Sequence, residues 1–118
     1  MSIRVLIADD QALVRSGFRL ILQSRPDLEV VGEAEDGASG LRAARELLPE
    51  LVLLDVQLPD IDGFEVAAQL TDGPGAPAVV LVSSRDGADF GPLVERSGAR
   101  GFIPKAELSG AALSALIG

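Results

Sequence analysis

The sequence has no cysteine and no histidine, and these two absences exclude several classes of function. The chain can form no disulfide or zinc finger, and it offers no thiol nucleophile, Ser-His-Asp triad or phosphohistidine. Tryptophan and tyrosine are also absent, and the aromatic residues are four phenylalanines. We therefore expect an aliphatic core and a function that uses oxygen ligands and carboxylates.

Basic residues are few as well, with 10 Lys and Arg against 18 Asp and Glu and a formal net charge of -8 at pH 7. Because nucleic-acid backbones favour a basic surface stripe, we expect basic proteins or cations as partners and no nucleic-acid binding by this domain. No apolar run approaches the ~20 residues of a membrane span, and the chain reaches two acids early, where a signal peptide would have its apolar core. These features predict a cytoplasmic protein without membrane contact.

Apolar, β-branched segments alternate with segments of helical periodicity along the chain. The predicted strands cover residues 3–8, 28–34, 51–54, 79–82 and 101–103, and the predicted helices cover residues 12–23, 38–48, 63–70, 88–97 and 108–117. The third strand is apolar throughout, as expected for a central parallel strand covered on both faces. The five strand-helix repeats, with no linker between them, predict one α/β domain over residues 1–118, with a parallel sheet between helix layers.

Two helices have apolar stripes that we expect to face the core. The stripe of the first helix combines residues at helical spacing with three neighbours that widen it: Leu13, Gly17, Leu20 and Ile21, with Val14, Phe18 and Leu22. The stripe of the second helix lies between a capping Asp36 and a terminating Pro49: Ala38, Leu41, Ala44 and Leu48.

The last helix is apolar nearly all round. Either its end is frayed or cut, or Leu113 and Ile117 help to form a docking or dimer surface.

Polar residues follow four of the predicted strands at the point where each strand ends. Asp9 and Asp10 follow the first strand, Asp55 the third, Ser83 the fourth and Lys105 the fifth. Because ligands collect outside the carboxyl ends of parallel strands, we expect these residues to meet in one crevice.

Three neighbouring carboxylates repel each other unless a proton or a hard cation compensates their charge. Mg²⁺ is the cation that we expect to compensate the charge, with the main-chain carbonyl of Gln57 as a further oxygen ligand. The same ion makes a carboxylate a feasible nucleophile toward phosphorus, with Lys105 and Ser83 binding other phosphoryl oxygens. A lone Asp at a strand end is more often a turn residue or a helix cap, and Asp10 or Asp62 suits that role. Caps and turns do not explain why acids, a hydroxyl and a lysine all follow strands at the same sheet edge. The joint placement of these residues therefore favours a metal and phosphoryl site.

With these residues assembled, the chain resembles the receiver domains of two-component response regulators, in the branch that often carries a C-terminal helix-turn-helix. The resemblance runs end to end and rests on four motifs in order: Ile-Ala-Asp9-Asp10-Gln-Ala-Leu-Val-Arg15, Leu-Leu-Asp55-Val-Gln-Leu-Pro59-Asp-Ile-Asp62-Gly63, Val-Ser83-Ser84, and Gly98-Ala-Arg-Gly101-Phe102-Ile-Pro-Lys105. It implies a doubly wound, flavodoxin-like sheet of order 2-1-3-4-5, for which a receiver domain is a known example.

The resemblance also implies roles for individual residues. Asp55 would accept a phosphoryl group from a histidine kinase, with Asp9 and Asp10 helping to bind Mg²⁺. Ser83 and Lys105 would be the switch hydroxyl and the phosphate-binding lysine.

A conformational switch follows from these roles. Phe102 would be the rotating aromatic that changes the face of helix four, strand five and helix five, where an effector or a second copy would bind. The alternative for Phe102 is plain packing in both states, because it lacks the hydroxyl that tyrosine offers.

The sequence departs from the receiver pattern near the site. Ala106 follows the lysine where many receivers have proline, so the resemblance does not fix the local loop geometry. Ser84 stands where Ala or Gly is common. We expect Ser84, Gln57 and Arg85 to tune the lifetime of the phosphoryl group, because such positions can place or exclude water.

Three alternatives differ in class. An aspartate-dependent phosphatase requires Asp-x-Asp after its first strand, whereas the acids here are adjacent. A flavin or nucleotide carrier requires a phosphate loop at Asp10-Gln11-Ala12-Leu13, where none is present. A receiver-like interaction module independent of phosphate is disfavoured by the complete acidic set. We expect a signalling domain that is not an enzyme in its own right, either standing alone or as the regulatory part of a longer regulator.

Overall fold

Five parallel strands form the centre of the molecule in a computed structural model that describes residues 2–84 and 90–117. The strands are β1 (Ile3–Ala8), β2 (Leu28–Ala34), β3 (Leu51–Asp55), β4 (Ala78–Ser83) and β5 (Gly101–Pro104). They hydrogen-bond in the order β2-β1-β3-β4-β5, which confirms the predicted sheet. β3 is buried at all five positions because it lies at the centre with helices on both faces.

The helices that connect the strands begin and end close to the predicted positions. They are α1 (Ala12–Gln23), α2 (Gly37–Leu47), α3 (Gly63–Leu70), α4 (Gly91–Arg96) and α5 (Gly110–Ile117), with a 3₁₀ turn at Lys105–Glu107. Pro92 lies in the first turn of α4, where a missing N–H costs nothing. The predicted first residues of that helix fall outside the described residues.

The predicted cap of α2 is confirmed. The Asp36 carboxylate accepts a hydrogen bond from the Ser39 N–H, and the Ser39 side chain accepts one from the Asp36 N–H, which completes a capping box. α2 ends as predicted before Pro49, with Leu48 in the left-handed conformation at a φ of 50°.

Two hydrophobic cores lie on opposite faces of the sheet. We call upper core the cluster that α1 and α5 cover, in which Phe18, Leu22 and Leu113 pack against the sheet. We call lower core the cluster that α2 and α3 cover, in which Leu41 and Val66 pack against the other face. Side chains of each strand alternate between the two clusters, so each strand contributes to both.

The predicted inward face of α1 is partly wrong. Leu13 and Leu20 are 88% and 70% exposed, and a Cβ at Gly17 would have no atom within 4 Å. The face that packs on the sheet is instead the one with Phe18 and Leu22, which are 4% and 1% exposed.

An electrostatic contact with β2 accompanies this rotation of α1. Arg15 and Arg19 both form ion pairs with Glu33, which belongs to the edge strand β2. With the arginines directed to β2 and the larger apolar side chains to the sheet, the Leu13 side of α1 faces outward.

Two further predictions about apolar side chains are wrong. Leu48 does not continue the inward stripe of α2, because the left-handed turn at that residue leaves its side chain 71% exposed. Leu113 does not form a docking surface, because it is fully buried in the upper core, and Ile117 packs partly against the same cluster. Within residues 2–84 and 90–117 no helix is long and apolar enough to cross a membrane.

Two leucines of α1 test its orientation. Leu22→Ala should lower the free energy of unfolding by about 2–5 kcal/mol, because it removes a fully buried side chain and leaves a cavity. Leu20→Ala, two residues away in the same helix, should change it by less than about 0.5 kcal/mol. Urea denaturation measures both, and equal losses would contradict the orientation described here.

Candidate metal and phosphorylation site

Three carboxylates meet at the carboxyl edge of the sheet. Asp9 directly follows β1, Asp10 comes next, and Asp55 is the last residue of β3. One oxygen from each of the three lies within 4.8 Å of the others. Asp9 and Asp55 are buried and Asp10 is exposed, so the cluster has a closed inner side and an open outer side.

Main-chain N–H groups orient the two buried carboxylates. Oδ1 of Asp9 accepts a hydrogen bond from the Gln11 N–H at 2.9 Å, and Oδ1 of Asp55 accepts one from the Gln57 N–H at 3.1 Å. Each donor lies two residues after its acceptor, so the turn that follows each strand fixes its own acid. In both residues Oδ2 is left to face the crevice.

Lys105 follows β5 and extends its ammonium group between the two buried acids. Its Nζ is 2.7 Å from Oδ2 of Asp9 and 3.3 Å from Oδ2 of Asp55. Oδ2 of Asp9 is fully buried and, within the described part of the chain, has no hydrogen bond of good geometry. Its contact with Lys105 is therefore an ion pair in which the oxygen retains capacity for another ligand.

Burial and charge change the ionisation of this group in opposite directions. Burial raises the pKa of Asp55 and the neighbouring charge of Asp9 adds to the rise, whereas the hydrogen bond from the Gln57 N–H and the charge of Lys105 only partly offset it. Burial alone would lower the pKa of Lys105, but its contacts with Asp9 and Asp55 outweigh that effect and raise it. The cluster thus keeps its lysine charged and carries an excess of negative charge.

The donor set fits a hard divalent cation. Mg²⁺ prefers a few carboxylate oxygens together with waters and carbonyls, and here two buried acids and one exposed acid point to a common place. Within the described part of the chain, Oδ2 of Asp9 accepts no hydrogen bond, so it is an oxygen that such a cation would coordinate. Asp9, Asp10 and Asp55 are the residues that would hold it, with the carbonyl of Gln57 as the predicted fourth group.

The other predicted site residues lie around this cluster. Ser83 ends β4, is fully buried and pairs in register with Pro104, which precedes Lys105. Ser84 and Gln57 are exposed just beyond the ends of β4 and β3. Arg85 lies outside the described residues.

Phe102 belongs to a row of three aromatic rings. Its ring centre is 5.7 Å from that of Phe90, which is 5.4 Å from that of Phe64 on α3, and both pairs are tilted. Phe102 is half-buried against the lower core. The row connects β5 with α3 through the residue that precedes α4.

The turn after Lys105 takes a form that the sequence did not indicate. Lys105 itself begins the 3₁₀ turn, and the peptide bond to Ala106 is trans, as are all those of the described residues. The turn and the intervening Leu108, which is buried in the upper core, separate the site from α5.

Sequence patterns missed two residues that shape the site. Arg15 donates a hydrogen bond of 2.6 Å to the carbonyl of Asp9 while it pairs with Glu33, so it ties the turn of Asp9 to the edge strand. Gly63 begins α3 so close to β3 that a Cβ there would lie 2.3 Å from the carbonyl oxygen of Asp55. Both residues stand in the quoted motifs, but the motifs gave no role to either.

Comparison with known proteins agrees with this geometry. The pattern that describes the response regulator receiver domain matches residues 5–117. The chain belongs to this family. Receivers are the phosphorylation-controlled domains of two-component systems, and the match covers every strand and helix of the described chain except the first two residues of β1.

Several individual relatives are regulatory proteins. This receiver is 38% identical over 104 residues to the transcriptional regulatory protein LiaR of Bacillus subtilis, which covers 87% of this chain and 49% of that protein. The structure of the receiver domain of the putative response regulator NarL from Mycobacterium tuberculosis matches with a TM-score of 0.86 at 34% identity, over 99% of this chain and 98% of that one.

A relative of a different kind is a protein-glutamate methylesterase/protein-glutamine glutaminase of Koribacter versatilis. It is 43% identical over 79 residues, which are 67% of this chain and 22% of that protein. The receiver spans about half the length of LiaR and a smaller part of the methylesterase, so the activities of the longer proteins belong to them.

The raised pKa of Asp55 predicts a stability change when its charge is removed. A carboxyl whose pKa is higher in the folded state stabilises the fold while it is protonated, and this contribution is lost as the pH rises through the folded pKa. Asp55→Asn should therefore raise the melting temperature at pH 7 without Mg²⁺, and the gain should disappear in acid.

The control is Asp72→Asn, which removes one negative charge from an exposed residue between α3 and β4. Thermal unfolding followed by circular dichroism at several pH values measures both variants. A melting temperature of Asp55→Asn at or below that of the unmodified chain would contradict the electrostatic description of the cluster.

Proposed function

We propose that residues 1–118 act as one cytoplasmic signalling switch in which Asp55 accepts a phosphoryl group from a histidine kinase. The observation that carries the proposal is the buried contact of Lys105 with both Asp9 and Asp55 at the carboxyl edge of the sheet. Ion pairs of this kind are costly to bury, and a chain that needed only stability would gain more from apolar packing there. The cost is understandable if the charges serve a reaction.

The transfer requires little more than orientation and charge stabilisation. A carboxylate oxygen of Asp55 attacks phosphorus, an O–P bond forms, and the P–N bond of the kinase phosphohistidine breaks. The released imidazole takes its proton from water. Bound Mg²⁺ would neutralise charge on the incoming phosphoryl group. The Gln57 N–H holds Oδ1 of Asp55, which leaves the Oδ2 side of the carboxylate toward the crevice.

Lys105 and Ser83 are the groups proposed to bind the transferred phosphoryl oxygens. The ammonium of Lys105 already lies 3.3 Å from Oδ2 of Asp55 and needs only a small shift to contact a new oxygen on that residue. Ser83 ends the strand next to β3 in the sheet, so its hydroxyl can approach the same group from the β4 side.

The proposed output is a change in the face formed by α4, β5 and α5. Movement of Ser83 toward the phosphoryl group would free space for Phe102 to turn inward. The ring would then separate from Phe90, which immediately precedes α4. This face is the proposed contact for an effector or for a second copy of the receiver.

The proposal treats the receiver as a switch without an independent enzymatic activity, beyond promoting its own phosphorylation and dephosphorylation. Two alternatives remain distinct from it: an interaction module that works without phosphate, and an aspartate-dependent phosphatase. They differ in what happens to a small phosphodonor.

The decisive experiment is incubation with acetyl phosphate and Mg²⁺ followed by intact-mass measurement. We expect one labile phosphoryl adduct that is absent in Asp55→Asn and without Mg²⁺. The control Asp72→Asn should be phosphorylated as the unmodified chain is. An unmodified mass would favour the phosphate-independent module, and multiple turnover would favour the phosphatase.

The exposed Gln57 tests the proposed control of phosphoryl lifetime. Its side chain follows Asp55 by two residues, where it can position or exclude the water that hydrolyses the phosphoryl group. Gln57→Ala should change the dephosphorylation rate several-fold, whereas Gln23→Ala at the exposed end of α1 should leave it unchanged. Loss of the phosphoryl adduct with time measures both rates, and identical decay would remove Gln57 from the tuning positions. The same assay applies to Ser84→Ala and Arg85→Ala.

A further inference from the structure

The loop between β3 and α3 is tied to a distant helix by one carboxylate. Oδ1 of Asp60 accepts a hydrogen bond of 2.7 Å from the Gly37 N–H, and Oδ2 accepts one of 2.9 Å from the Ala38 N–H. Oδ1 also accepts the N–H of Ile61 at 2.8 Å. Asp60 thus binds the first two N–H groups of α2, although 23 residues separate it from Gly37 along the chain.

Close packing surrounds this contact. Gly37 is buried, and a Cβ there would lie 3.1 Å from Oδ1 of Asp60 and 3.0 Å from Cβ of Ile61. A glycine at this position therefore lets the carboxylate reach the helix without displacing the loop. The bonds from Ala38 and Gly37 also lower the pKa of Asp60, so the carboxylate is charged at neutral pH.

The two ends of the loop are held in other ways. At its start the Gln57 N–H binds Asp55, and at its end the Gly63 N–H donates to the Val56 carbonyl at 2.7 Å, while Asp62 caps α3. Between these ends, among the described residues, Asp60 is the side chain of the loop that hydrogen-bonds to another element. It therefore restrains the middle of the segment that begins with Gln57.

α2 also has a cap from residues of its own segment. The capping box of Asp36 and Ser39 satisfies the N–H groups of Ser39 and Asp36, whereas Asp60 accepts those of Gly37 and Ala38. The hydrogen bonds to Asp60 are additional to that cap. Their distinctive effect is to fix the loop relative to α2.

We propose that Asp60 is a positioning residue that holds the loop so that the main-chain carbonyl of Gln57 is presented to the cation bound by Asp9 and Asp55. The inference rests on the proposed function and on the prediction that this carbonyl is a ligand of the cation. Outer groups that orient metal ligands commonly contribute about 10–100-fold in metal affinity, because a ligand held in place loses less freedom on binding.

The test compares Asp60→Ala with Asp36→Ala by Mg²⁺ titration in a calorimeter. Both variants remove a carboxylate that binds the amino end of α2, so both should lower the melting temperature measured without Mg²⁺. Only Asp60→Ala should weaken Mg²⁺ binding, by about 10-fold. Equal Mg²⁺ affinity in the two variants would overturn the assignment.

A conservative variant and a local signal separate positioning from general loss of structure. Asp60→Asn keeps one carbonyl acceptor and should retain an intermediate Mg²⁺ affinity, and it carries the test if Asp60→Ala does not fold. In ¹⁵N NMR spectra the Mg²⁺-induced shift of the Leu58 amide, whose nitrogen is bonded to the Gln57 carbonyl carbon, should shrink in Asp60→Ala and persist in Asp36→Ala. An unchanged shift in both variants would contradict the inference.

Failure of this inference is distinguishable from failure of the proposed function. If the unmodified chain binds Mg²⁺ and is phosphorylated while Asp60→Ala behaves in the same way, only the role of Asp60 is overturned. If the unmodified chain neither binds Mg²⁺ nor accepts a phosphoryl group, the function is overturned and the role of Asp60 with it.

Discussion

The ion pair of Lys105 with two buried carboxylates is the constraint on which the rest of this receiver depends. Burying Asp9 and Asp55 beside each other is unfavourable, and the lysine between them offsets only part of that cost. The remaining negative charge favours a cation in the crevice, and the proposed phosphoryl transfer depends on such a cation. Under the proposed function, stability and activity therefore oppose each other at the same three side chains.

The apolar sheet holds the buried acids Asp9 and Asp55 in place. β3 is buried at every position and delivers Asp55 from the centre of the molecule, where two cores fix the strand on both faces. Each buried acid is then oriented by the N–H group two residues further along its own turn. Rigid strands and short turns together hold like charges at a separation that flexible segments would not maintain.

The contacts around the crevice connect it to the two sides of the molecule. Arg15 ties the turn of Asp9 to the edge strand, and Asp60 ties the loop after Asp55 to α2. On the other side Phe102 contacts Phe90 just before α4. The first two contacts join the acidic turns to neighbouring elements, whereas the aromatic contact lies where the proposed switch requires movement.

The sequence by itself determined the order of the elements and the residues at the strand ends, because strand and helix periodicity, caps and prolines are local signals. It did not determine which side of α1 faces the sheet, since its apolar residues surround too much of the helix and the ion pairs of Arg15 and Arg19 with Glu33 join elements distant in the chain. The exposed position of Leu48 and the bonds of Asp60 to α2 were likewise decided only by the tertiary structure. A local sequence pattern specifies the secondary structure that each segment prefers, but contacts between segments exist only once the chain has folded.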